Sequence, residues 1–92
     1  MTQAEAVSRL SEFSADDTIY AAEPWTQDSS VVVATEPPAG GLPAQAVDGG
    51  LAYFLEVDIA SDLLEDWEKS LLEKPTLRAM CERLIAYAVN DA

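Results

Sequence analysis

Apolar positions in the first thirteen residues fall three apart, at Val7, Leu10 and Phe13, with Ser8, Arg9, Ser11 and Glu12 between them. That spacing predicts a short amphipathic helix. Thr2-Gln3-Ala4-Glu5 ahead of it reads as a capping box, with the Thr2 hydroxyl accepting from the third helical amide and Glu5 reaching back. Ser14 to Asp17 breaks the pattern with turn-forming residues. The runs Thr18–Ala22 and Val31–Thr35 are rich in β-branched and aromatic side chains and predict two strands. Glu23–Ser30 between them opens on a proline and closes on turn formers, so it predicts the loop of an antiparallel pair. Glu36–Gly50 holds three prolines and four glycines and predicts a long surface loop.

Leu51–Val57 predicts a third strand by period-two alternation. Leu51, Tyr53, Leu55 and Val57 are expected on the core face, and Ala52, Phe54, Glu56 and Asp58 on the other. Ala60, Leu63, Leu64, Trp67 and Leu71 then repeat at helical spacing, predicting a buried stripe on a helix from Ala60 to Leu72, ended by Pro75. Thr76 is a suitable N-cap for a last helix whose apolar face is Leu77, Met80, Cys81, Leu84, Ile85 and Ala88, ending near Asn90. The expected fold is α+β, in the order αβββαα: a leading helix, a three-stranded antiparallel sheet, and two helices packed on one sheet face.

Charge changes this picture more than any motif does. Seventeen Asp and Glu stand against five Lys and Arg, with no His, for a net charge of −12 over 92 residues. Length allows one domain. A hydrophobic content of 49%, with two Trp, three Tyr and two Phe, separates the chain from acidic disordered tails. The densest acid sits on the predicted second helix and the strand before it: Glu56, Asp58, Asp62, Glu65, Asp66 and Glu68. Such a body repels nucleic acid and anionic lipid and attracts basic protein surfaces. A high-salt cytoplasm is the environmental alternative, in which the acidity needs no partner.

The chemistry of a catalytic or metal centre is sparse. Without His the common triads and imidazole ligands are excluded, and Cys81, alone on an apolar stripe, is expected in the core. No disulfide can form within the chain, which fits a reducing compartment. Glu56 and Asp58 could in principle act as a carboxylate pair, but two residues apart on a strand they read as a solvated edge. The acids lack the spacing and central glycine of a calcium loop, and the glycine pairs lack the lysine of a phosphate loop. No cofactor is expected. The first ten residues do not read as a signal peptide, and no apolar run spans a bilayer, so a cytoplasmic protein without membrane contact is expected. Trp25, after Pro24 on a loop, is the candidate aromatic anchor for a partner; Trp67 is expected in the core. Phe54 and Tyr87 are the candidates for a self-contact.

The strings TIYAAEPW, Thr18 to Trp25, and YFLEVDIASDLLEDW, Tyr53 to Trp67, resemble small uncharacterised bacterial proteins. In size and acidity the chain is similar to phage anti-CRISPR proteins and other DNA mimics. That resemblance implies a bacterial or phage setting. The charge pattern leads to the expectation of a non-enzymatic inhibitor or adaptor that docks on a basic, nucleic-acid-binding protein surface, such as that of a CRISPR effector. The partner-binding residues expected are Glu56, Asp58, Asp62, Glu65, Asp66, Glu68 and Trp25. The alternatives are an immunity protein neutralising a basic toxin, a metal-assisted enzyme with converging carboxylates, and an acidic domain with no electrostatic partner.

Overall fold

In the computed structural model, which describes residues 1–90, β1 (Asp17–Ala21) is the centre of a three-stranded sheet. It pairs antiparallel with β2 (Val31–Thr35) on one side and β3 (Ala52–Glu56) on the other. The α+β class and the antiparallel sheet are as expected. The spatial order is β2-β1-β3, so the chain between β2 and β3 crosses the sheet instead of turning back beside it.

Helix α1 (Gln3–Ser8) begins with the full capping box, each of Thr2 and Glu5 bonding the other's backbone N–H at 3.2 Å. A 3-10 turn over Leu10–Glu12 follows and buries Leu10. The N-terminal backbone is tied to the loop before β2: Gln3 donates to Ser29 O at 2.8 Å and Ala4 to Gln27 O at 2.9 Å. Helices α3 (Val57–Lys69) and α4 (Leu77–Asn90) complete the layer over one sheet face, with α1 and α3 both against α4. The Thr76 hydroxyl accepts from the Ala79 amide at 3.1 Å, as an N-cap should.

Three expectations are corrected. The segment 36–50 is not loop throughout: Ala44–Gly49 forms a six-residue helix, α2, closed by Gly50 in the left-handed region at φ 67°. Glycine reaches that conformation without a Cβ clash. α2 lies on the second face of the sheet, where Ala46 and Leu51 bury Tyr20 in a small separate core.

The strict alternation expected for β3 fails at a bulge. Ile19 stands opposite Leu55 and Tyr20 opposite Tyr53, leaving Phe54 as the extra residue. Phe54 and its neighbour Leu55 consequently both enter the main core, at 1% and 0% exposure, while Tyr53 is 43% exposed. A self-contact through Phe54 is thereby excluded.

α3 starts at Val57, directly off β3, and ends at Lys69, short of the expected Leu72. Thirteen residues at 1.5 Å each carry it about 20 Å, and beyond that Leu71 and Leu72 are exposed, Leu72 completely. The Ser70 hydroxyl donates to Trp67 O at 2.7 Å and takes up one of the last carbonyls.

The main core joins Val7 and Leu10 to Ile19, Phe54, Leu55, Leu64 and Leu84. Phe54→Ala is expected to cost about 3–5 kcal/mol, seen as a lowered urea midpoint; a loss under about 1 kcal/mol would contradict its core position. The Tyr20 hydroxyl is buried with no hydrogen-bond partner among the described residues. Since an unpaired buried hydroxyl carries a desolvation penalty, Tyr20→Phe is expected to leave the urea midpoint unchanged or raised, and a clear fall would show that the hydroxyl is paired.

Candidate functional site

At 100° per residue, Asp58, Asp62, Glu65, Asp66 and Glu68 occupy an arc of roughly 160° on α3. Ala60 and Leu64, buried at 0% and 4%, face the opposite way. Hydrophobic contact on one side and carboxylates on the other orient the helix, with no further device needed. Asp58, Asp62, Glu65 and Asp66 are exposed and Glu68 is half-buried. Glu56 is exposed at the end of β3, immediately before the helix. Asp58 in the first turn also lies favourably to the helix dipole.

Only Lys69 counters these six carboxylates on the helix, bonding Glu65 at 3.5 Å with both side chains well exposed. Exposed pairs of this kind contribute little to stability. The other ion pairs among the described residues are Arg9–Glu12 and Arg78–Glu82, both local and exposed. No Lys or Arg occurs between Arg9 and Lys69, so the whole sheet and most of α3 are free of cations.

The face is outward-curving but not featureless. Asp62 and Asp66, one turn apart, rim a shallow recess of about 280 Å³ floored by Ile59, Leu63 and the half-buried Tyr87. Glu65 and Glu68 border another, on the side toward α1 and Met80. The carboxylates therefore spread along a ridge and do not converge. Among the described residues no group of three or more His, Cys, Asp or Glu is placed to hold a metal ion, and no helix is long and apolar enough to cross a membrane.

Trp25 is not on this face, and it is not an exposed anchor. Its loop, which contains a cis Glu23–Pro24 peptide, folds back so that the indole N–H donates to Ala21 O at 3.3 Å and the ring stands edge-on to Phe54 at 4.9 Å. Trp67 is half-buried against the same main core. Trp25 instead walls a cavity of about 490 Å³ between the 25–28 loop and the side of α4 bearing Cys81, Ile85 and Val89. Hydrophobic periodicity on α4 placed Cys81 in the core but carried no sign of this cavity, because its other wall comes from a loop distant in sequence.

Comparison with protein-family models, with curated proteins and with solved structures found no match.

Burial, and after it the nearby Glu82 carboxylate, push the Cys81 thiol above its ordinary value of 9.0. The folded state then holds a proton that the unfolded chain releases. This contribution to stability is complete below the unfolded value and is lost as pH climbs through the folded one. The urea midpoint is expected to decline above about pH 9, and less steeply in Cys81→Ala. Parallel declines in the two proteins would show that Cys81 does not carry the effect.

Proposed function

We propose that this protein is a non-enzymatic binding protein that presents the acidic face of α3 and the adjoining end of β3 to a basic protein surface. In its most specific form it is a DNA-mimic inhibitor, of the anti-CRISPR kind, acting on a nucleic-acid-binding machine. The observation that carries this reading is the row Asp58, Asp62, Glu65 and Asp66 exposed along one side of α3, with half-buried Glu68 at its margin, Glu56 exposed at the end of β3, and Lys69 as the one cation of the helix.

Charge density supports the comparison with a nucleic acid. From Asp62 to Glu68 the helix offers roughly one carboxylate per 2–3 Å of axis, against about one phosphate per 1.7 Å for duplex DNA. A groove lined with Lys and Arg to hold phosphates meets a similar field from this ridge. Its surplus charge steers encounter and raises the association rate, most strongly at low ionic strength. The hydrophobic stripe at Ala60 and Leu64 holds the row straight, so little order has to be imposed on binding.

Asp62→Lys, Glu65→Lys and Asp66→Lys made together should leave the circular dichroism spectrum and urea midpoint near those of the wild type, since all three side chains are exposed. In affinity purification from the native host at physiological salt, the wild type is expected to retain a basic protein that duplex DNA displaces, and the triple variant to lose it. Equal retention by the triple variant, or retention that DNA does not disturb, would overturn the proposal.

A further inference from the structure

The outer edge of β2 is only partly covered. Residues along an antiparallel strand alternate between those that turn N–H and C=O onto the partner and those that turn both away. Two bonds set the phase here: Ala22 donates to Ser30 O at 2.9 Å, and Val31 turns outward to donate to Met1 O at 2.8 Å. Ser30, Val32 and Ala34 therefore face β1, while Val31, Val33 and Thr35 face away from it. Met1 takes the outward N–H of Val31. Among the described residues the outward N–H groups of Val33 and Thr35 have no backbone partner.

Proteins commonly guard such an edge with lysine, a bulge or proline, because free donors and acceptors in a row are a template for another strand. This edge has no lysine. Its guards are the Thr2–Ser30 bridge at one end and Pro37-Pro38 just beyond the other. Between them the stretch from Val33 to Thr35 is open. Val32 and Ala34 are half-buried on one sheet face, and Val33 on the other.

The charges flanking the opening are all of one sign. Asp17 stands opposite Thr35 and accepts from its hydroxyl at 2.9 Å. Asp16 and Glu36 lie next in the chain, and both are exposed. A second copy on this edge would bring a second set of these acids onto the same short ladder, and one net charge of −12 against another. A strand bearing Lys or Arg meets no such opposition.

We propose that the open edge of β2 accepts, as a fourth strand, an extended segment of a partner in which Lys or Arg alternates with apolar residues. Main-chain bonds to Val33 and Thr35 supply the pairing. The apolar side chains extend the half-covered face at Val32 and Ala34, and the cations meet Asp16, Asp17 and Glu36. The inference stands on the edge geometry and not on the α3 ridge, since β2 and β3 are opposite edges of the sheet.

The test uses residue-resolved amide hydrogen exchange with a short blocked peptide alternating lysine and valine. At saturation the Val33 and Thr35 amides are expected to slow by about tenfold or more, with the peptide alternating glutamate and valine having no effect. Thr35→Pro removes an outward N–H without breaking a backbone bond to β1, and it loses the hydroxyl bond to Asp17 that Thr35→Val loses as well; the proline variant is expected to weaken peptide binding about tenfold, and Thr35→Val less than about twofold. Protection of the Tyr20 and Val32 amides reports whether the proline variant keeps its sheet, and the exchange result on the wild type decides the question if it does not. The triple lysine variant of α3 should bind the peptide at β2 as the wild type does, which separates failure here from failure of the ridge. Unchanged exchange at Val33 and Thr35, equal protection by the glutamate peptide, or a dimer in sedimentation with these amides already protected would each overturn the proposal.

Discussion

No residue intervenes between the last residue of β3, Glu56, and the first of α3, Val57. This join governs the molecule. A helix leaving a strand without a loop has its axis and its rotation set by the strand, and Val57, buried at 2%, pins that rotation. The bulge at Phe54 sets the other half of the geometry, because it brings Phe54 and Leu55 together into the main core just before the helix begins. With Val57, Ala60 and Leu64 turned inward, the carboxylates between them have only solvent to face. The acidic ridge is thus a result of how the strand ends.

The distribution of cations divides the surface further. Four of the five lie in helices or at a helix end, Lys74 lies in the connection from α3 to α4, and three of the five are held by an acid three or four residues away. The sheet and its connections carry none. A chain in this electrostatic state gains little from its surface charges and relies for stability on burial in the two cores, one on each face of the sheet. The helices α1, α3 and α4 cover one face, and the other is covered by little more than α2 and Leu51. The second face and the β2 edge are therefore the parts of the fold with least between backbone and solvent.

What was legible in the sequence rests on chemistry within a few residues. The Thr2–Glu5 box, the Thr76 cap, the five residues of β2 and the acid arc of α3 depend on neighbours at fixed short spacing, and each is found where expected. The features that were hidden are set by the tertiary structure. The β3 bulge depends on its register against β1, and α2 is too short to show a period. The end of α3 at Lys69 leaves Leu71 exposed, although Leu71 continues the apolar spacing of the helix. Trp25 follows from the bulge: its exposure cannot be judged until Phe54 is known to point inward and offer its ring. Of the candidate site, the six carboxylates could be read from spacing, whereas the recess beside Tyr87 required the packing of α4 on α3.

The position of Trp25 gives the protein an internal optical probe. The indole is bonded to Ala21 and faces Phe54, and it also walls the cavity against α4. Its emission will respond to solvent entering that space or to the 25–28 segment lifting away. Trp67, on the far helix, senses α3 instead. Replacing either indole by phenylalanine leaves a single indole, whose emission can be excited apart from that of the three tyrosines, so that loosening at the cavity and at α3 can be followed separately by light alone.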